Sequence, residues 1–337
     1  MEKRGKSFDG LMRHIRNSHN IEIRGSEDKK RLVNIGYYHG YKGYKFNKDV
    51  AHPFIGIHNF EQIVAIANFD QQMKAIFYPI TMKFETIIKN LIVNYSVLGI
   101  DPSFDNVYRQ KLTFYRSQRG RRRTKSINKR LRLKKGFDSE IAYAYASNNI
   151  VIKHYIEENK SVPLWALFEV ISLGNVGNYV ACLNREDKEK VADFLNLYNS
   201  QYDENVKILE QSIFLIKDLR NAVAHNHIIF DCRFRKAQNV AQNLKATVKN
   251  KLHLEAETNF DILFDYLALL MIFLKESGNS RSELNSYITD FENSVNILYK
   301  STEEIAHNKE PLPYSVYNLI IGERFKLKLN KLKEYIN

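Results

Sequence analysis

Chain breakers are scarce in this sequence: 14 Gly and 6 Pro among 337 residues, about half of what average usage of roughly 7% and 5% would give. Few breakers mean few tight turns and long uninterrupted elements, which favours helices. The apolar spacing agrees. Phe77, Ile80, Phe84, Ile87, Ile88 and Leu91 recur at three- and four-residue steps, which predicts one helix from Phe60 to about Val97. Pro79, lacking a backbone donor, is expected to kink or divide it. Leu209, Ile213, Ile216, Leu219 and Val223 form a second stripe on a helix expected from about Asn205 to Ala224. Residues 139–160 read as helical. Ser161 reads as the N-cap of a following helix that turns Leu164, Leu167, Phe168 and Ile171 inward, with Gly174 and Gly177 marking a break after it. Further helices are expected over 186–197, 257–275 and 282–300. Phe325 to Leu329 alternates as a strand would, although the flanking charges fit a helix equally well. The fold class is therefore all-α. The expected parts are an N-terminal helical and turn region (1–60), a central core (61–232) and a C-terminal helical region (233–337).

Hydrophobic residues make up 44% of the chain and charged residues 26%, the balance of a globular protein long enough for one large core or two modest ones. Cys182 and Cys232 are far apart and form no C-x-x-C pattern, which argues against a disulfide framework or a zinc site. Met1 to Arg24 is polar, without the apolar run of a signal peptide. The most apolar run, Ile262 to Leu274, is too short to span a bilayer and contains Asp265, so it reads as a buried helix. A cytoplasmic protein without membrane contact is expected. Trp165 and the tyrosines at 37, 38, 41 and 44 read as core residues, with the lining of an RNA groove as the alternative for the tyrosines.

The formal net charge is +13, and its distribution matters more than its size. Between Arg109 and Lys135 stand thirteen Lys/Arg and no Asp or Glu. Arg116, Arg119, Arg121, Arg122, Arg123, Lys125, Lys129, Arg130 and Arg132 would repel one another unless solvated or neutralised by an anion, so the block is a candidate for RNA-binding through the phosphate backbone or for contact with an anionic membrane. A solvated disordered loop is the alternative reading. Phe114 and Tyr115 stand beside it as possible stacking partners for bases.

The segment Leu219-Arg220-Asn221-Ala222-Val223-Ala224-His225-Asn226-His227 carries the sharpest chemical pattern. RNA cleavage without a metal needs a group to take the 2′-hydroxyl proton, an acid for the leaving oxygen and a cation against phosphorane charge. Imidazole suits the first two roles, and a guanidinium suits the third. On one regular helix Arg220 and His225 stand about 140° apart, whereas Asn221 and His225 share a face. Arg220 joins them if the helix distorts near His225 or if a second copy packs alongside. The spacing alone also fits Arg13 and His19, and a helix end with a cationic cap accounts for it without chemistry.

Four segments together resemble the abortive-infection (Abi) family, whose members carry a HEPN domain. Lys30-Arg31-Leu32-Val33-Asn34-Ile35-Gly36-Tyr37-Tyr38 through Gly43-Tyr44 is similar to its N-terminal element. Asn68-Phe69-Asp70 followed by Phe84-Glu85-Thr86-Ile87-Ile88-Lys89 resembles its acidic helix. Val162-Pro163-Leu164-Trp165 through Glu169-Val170 with Gly174 matches its V-P-L-W signature. Leu219-Arg220-Asn221-Ala222 with Ala224-His225-Asn226 is similar to its L-R-N-x-x-A-H site, one residue shorter than in some members.

The resemblance implies an all-α, HEPN-type helical bundle with a basic insertion and extra C-terminal helices. It implies a metal-independent endoribonuclease that leaves a 2′,3′-cyclic phosphate, works as a homodimer and serves phage defence. Some relatives are controlled by a small RNA encoded beside them. No cofactor and no metal enter this reading. Arg220, Asn221 and His225 carry over as catalytic residues, and Glu85 as a polar residue from the neighbouring helix. Glu85 has a structural alternative: it orients Arg220 or pairs with Lys89. A non-catalytic protein that holds RNA on the same scaffold is the second function class. A nucleotidyl-modification partner is a third, although no Gly-Ser with paired Asp marks a transferase here.

Overall fold

The computed structural model describes residues 5–48, 54–197, 203, 206–235, 240–255, 258–303 and 310–337. In chain order it forms α1 (Phe8–His19), α2 (Gly25–Ile35), a π-turn over Gly36–Tyr41, α3 (Lys42–Lys45), α4 (Phe60–Val97), α5 (Phe104–Gln110) and a 3-10 turn over Phe114–Ser117. There follow α6 (Gly120–Ala146), α7 (Ile150–Glu157), α8 (Leu164–Val170), α9 (Leu173–Cys182), α10 (Arg185–Phe194) and α11 (Lys207–Ala224). The C-terminal third supplies α12 (Gln242–Lys251), α13 (Leu263–Glu276), α14 (Arg281–Lys300), α15 (Tyr314–Ile321) and α16 (Phe325–Ile336). The protein is all-α. Among the described residues the only β pairings are two isolated bridges, Glu22 with Asn59 and Ser103 with Pro163.

The 38-residue α4 is the axis of the molecule. Asn59 opens it through a capping box with Gln62, which satisfies donors that a bare helix start leaves orphaned. α4 runs through Pro79 without dividing. Met73, Phe77, Ile80, Phe84, Ile88 and Ile92 are all buried along it, and α2, α8, α10, α11, α13 and α14 pack around it. Pro79 and Ala75, whose carbonyl loses its helical donor, both lie on the exposed side of α4, where water satisfies the carbonyl and the lost bond costs little. The buried side chains form one continuous core from Met12 to Ile336. α13 is the expected apolar helix, with every residue from Leu263 to Leu274 buried. No helix among the described residues is long and apolar enough to cross a membrane.

Several local expectations are corrected. The basic block is not a loop: from Gly120 onward it belongs to the 27-residue helix α6. The helical reading of 139–160 splits into the end of α6 and α7, at a turn where Asn148 takes positive φ. Ser161 does not cap α8; the helix starts after Pro163, which needs no donor there. Gly174 and Gly177 lie inside α9, and the break falls earlier, at Ile171 and Ser172, where the Ser172 side chain caps α9. Gly177 is glycine because a Cβ would stand 2.9 Å from the Phe214 ring. Its absence lets α9 pack closely on α11. Trp165 is not a core residue: it is 46% exposed and meets Tyr155 edge-on, while its neighbours Leu164, Ala166, Leu167 and Phe168 turn inward. Of the tyrosines, Tyr37, Tyr41 and Tyr44 are buried and Tyr38 faces solvent. The stretch 325–329 is helical, in α16. The expected helix starts at Asn205 and residue 257 lie outside the described residues.

Lys188 is almost fully buried. Lys188 on α10 lies over the Phe114 ring at 3.8 Å and donates to the Ala181 carbonyl at 3.5 Å. Burial lowers its pKa to about 8, with the nearby Glu210 charge partly opposing the shift. A lysine whose folded pKa lies below its unfolded 10.5 burdens the fold fully below about pH 8. That burden is relieved as the pH rises toward 10.5. Lys188→Met should therefore stabilise the protein at pH 7 by on the order of 2–3 kcal/mol, and the gain should fade above about pH 8 and vanish as the pH passes 10.5. Thermal melting of both proteins across that range checks the sign. A gain that is absent at pH 7 or grows with pH would contradict it.

Candidate active site

Arg220 and Asn221 stand near the C-terminal end of α11, against α4. The sequence places Glu85 and Lys89 one turn apart on α4, and the fold sets both beside Arg220. Arg220 donates through Nε to Glu85 Oε2 at 3.1 Å and through Nη1 to Asn221 Oδ1 at 3.2 Å. The other Glu85 oxygen pairs with Lys89 Nζ at 3.0 Å, and Lys89 also donates to the Ile171 carbonyl at 2.9 Å, where α8 gives way to α9. Glu85 is thus shared between two cations and does both things its structural reading foresaw. The Glu85 side chain is 12% exposed and that of Arg220 29% exposed, so the guanidinium is held from behind and open in front. Its Nη2 has no partner among the described residues, which leaves a fixed donor for an anion.

α11 stops one residue short of His225. Asn226 adopts positive φ, 54°, and its amide donates to the Val223 carbonyl at 3.1 Å, while His227 N donates to Ala222 O at 2.7 Å. This is a Schellman ending, and Asn is among the few side chains that accept the left-handed position. The His225 amide still donates to the Asn221 carbonyl at 3.0 Å, so the separation of about 140° from Arg220 holds through His225, and the chain leaves the helix only at Asn226. The His225 and His227 rings are exposed and lie 6.0 Å apart between centroids. Among the described residues no hydrogen bond joins the His225 ring to Arg220 or Asn221. The rival pair Arg13 and His19 ends differently, for the His19 ring is bonded to the Tyr41 hydroxyl at 2.7 Å within the fold.

The turn that presents His225 is anchored by Asp70, a residue whose role sequence reasoning missed. Asp70 is fully buried. Its Oδ1 accepts from the amides of Ile229 and Phe230, each at 2.7 Å. Its Oδ2 accepts from the Tyr44 hydroxyl at 2.9 Å and pairs with Lys74 Nζ at 2.8 Å. Lys74 in turn donates to Asn226 Oδ1 at 2.9 Å. One carboxylate so ties α4, the tyrosine segment and the chain after α11 together. Burial, then the Asp70 charge, pushes the Tyr44 hydroxyl pKa far up, which keeps it a donor. Gly43 leaves room for Ile228, whose Cδ1 would lie 1.9 Å from a Cβ there. The signal was present, since Gly43-Tyr44, Phe69-Asp70 and Ala224-His225-Asn226 all belong to the quoted segments. What sequence could not show is that they meet at one carboxylate.

The basic residues are not equivalent. Arg116, Arg119, Arg121, Arg122, Arg123, Lys125 and Arg132 are exposed. Lys129 pairs with Glu210 at 2.7 Å. Arg130 is committed to the fold: its guanidinium lies 3.7 Å from the centre of the Tyr108 ring and donates to the Tyr108 carbonyl at 2.7 Å. The start of α6 carries Arg119, Arg121, Arg122 and Arg123 with no acidic residue in its first turn, so four cations sit at the positive end of the helix dipole. A bound anion relieves that arrangement. Burial pushes the Cys182 thiol up to about 11. Among the described residues no group of three or more His, Cys, Asp or Glu is placed to hold a metal ion.

Neither a curated protein nor a solved structure matches the chain. The sequence pattern of the family described as Abi-like protein matches residues 30–231, more than half of the 337 residues and a span that contains Tyr44, Asp70, Glu85, Arg220 and His225. The chain belongs to the Abi-like protein family.

Proposed function

We propose that the protein is a metal-independent endoribonuclease of the HEPN type that acts in phage defence as an abortive-infection toxin. The observation that carries this reading is Arg220. Its guanidinium is gripped by Glu85 at 3.1 Å and Asn221 at 3.2 Å, with one edge free, beside a turn that exposes His225. Arg220 would bind the scissile phosphate and hold charge on the phosphorane, and His225 would move the proton of the 2′-hydroxyl or the leaving oxygen. Attack of the 2′-oxygen on the neighbouring phosphorus expels the 5′-oxygen of the next nucleotide and leaves a 2′,3′-cyclic phosphate. Within one chain the His225 ring makes no bond to Arg220 or Asn221, so the site is read as completed by a second copy across a two-fold axis. The exposed cations of α6 would track the RNA backbone, of substrate or of a regulatory small RNA.

Incubation of purified protein with RNA in EDTA tests the reading. Wild type should cleave and leave cyclic phosphate ends, and His225→Ala should be slower by about 10²–10⁴-fold. Cleavage undiminished by the substitution would remove His225 from the mechanism. Salt-dependent RNA binding by a wild type that never cleaves would instead favour the second reading, an RNA-holding protein on the same scaffold.

A further inference from the structure

α6 and α9 enclose a pocket that the catalytic reading leaves unused. On α6 the residues Lys125, Asn128, Lys129, Arg132 and Leu133 recur at steps of three and four and so share one face. α9 opposes them with Asn175 and Asn178, also three apart. Together these seven residues line a cavity of about 580 Å³, within the range of small-ligand sites. Leu133, 3% exposed, is its apolar floor.

The polar groups around it are under-used. Among the described residues nothing hydrogen-bonds to the side chains of Asn128 or Asn178. Asn175 spends one amide hydrogen on Glu140 at 3.0 Å, which leaves its carbonyl oxygen unpaired. Lys125 and Arg132 have no carboxylate partner among the described residues, while Lys129 is shared with Glu210. Three amides and two free cations around an apolar floor match the parts of one nucleotide. Cations take the phosphate, and the apolar wall takes a ring face. Side-chain amides, which carry a donor and an acceptor side by side, read a base edge. The base must be unpaired to be read this way, since the edges of duplex RNA are hard to reach.

The pocket is also placed to matter for cleavage. Its α9 wall begins one residue after Gly174, where a Cβ would lie 3.5 Å from the Lys217 stem, and Lys217 precedes Arg220 by three residues on α11. From the other side, Lys89 links the Glu85–Arg220 pair to the Ile171 carbonyl just before α9. The first turn of α9 thus separates the pocket from the arginine.

We propose that this pocket holds one unpaired nucleotide of the RNA, read by Asn128, Asn175 and Asn178, and so sets the base preference beside the cleaved bond. The inference rests on the ribonuclease reading for its link to cleavage but not for the binding itself, and two measurements keep these apart. The first is the affinity of short fluorescent homo-oligoribonucleotides of A, C, G and U. Wild type should prefer one of the four by about tenfold or more, the worth of one good base-edge contact. Asn175→Ala/Asn178→Ala should level the four. Lys125→Ala should weaken all four alike. Asn128→Ala, exposed on α6, repeats the test at the position least tied to the fold. Equal affinity of the wild type for all four, or a preference unchanged in a double variant that melts like wild type, would overturn the pocket. The second is sequencing of cut ends from a random RNA pool, where the double variant should lose the preference at one flanking position. Absence of any cleavage by wild type would end the ribonuclease reading, and the oligonucleotide preference then decides the pocket alone.

Discussion

Asp70→Asn should lower the stability of the protein by about 3–5 kcal/mol, the cost of breaking a buried ion pair from one side. The carboxylate is fully buried and meets Lys74 at 2.8 Å, Tyr44 at 2.9 Å and two backbone amides at 2.7 Å. Asparagine keeps an acceptor but removes the charge that Lys74 faces, and its amide hydrogens oppose donors. A fall in melting temperature on the order of 10 °C is expected. Asp70→Asn/Lys74→Met should recover part of it, because no unpaired charge then remains buried. Circular dichroism melts of the three proteins measure this. A single variant within about 2 °C of wild type would show that the anchor carries little of the fold's stability. The anchor also presents the His225 turn, so RNA cleavage by Asp70→Asn should fall even well below its melting temperature.

The second large effect separates chemistry from stability. Arg220→Ala should cost about 10²–10³-fold in cleavage, as expected for loss of a fixed donor to transition-state charge. It should move stability little, since Glu85 keeps Lys89 at 3.0 Å and the Arg220 side chain is 29% exposed. Arg220→Lys should recover little of the rate, because an ammonium cannot span Glu85, Asn221 and a phosphate as the planar fork does. Single-turnover cleavage and melting, measured on the same preparations, check both halves. A variant that melts like wild type and cleaves like it would remove Arg220 from the site, whereas one that unfolds would make the arginine a structural residue.

Much of the architecture is legible in the sequence because it follows from local spacing. The stripes of α4 and α11, the apolar run of α13 and the scarcity of glycine and proline each report on a helix through its own neighbours. The misreadings share a cause. Ser161, Gly174 and Gly177 are ordinary punctuation in isolation, yet Gly177 is required by close packing of Phe214 from another helix. Trp165 reads as core by residue type, but α8 buries its other face. The alternative reading of the arginine run as a disordered loop fails in the same way, because α6 holds it helical and its second half, through Leu133 and Phe137, packs into the core. Each outcome turns on a contact distant in sequence.

The same division holds for the site. By itself the sequence determined the all-α class, the family, and the side chains suited to phosphate chemistry, because residue type and order carry these directly. Only the tertiary structure decided how Arg220 is used: Glu85, 135 residues away, holds the guanidinium from behind and leaves an edge free. The apolar spacing already ends α11 at Ala224, but only the tertiary structure showed that Asp70 joins three of the family's segments at one buried carboxylate. A buried charge must find its partners wherever the chain brings them, and no spacing along the sequence records where that is.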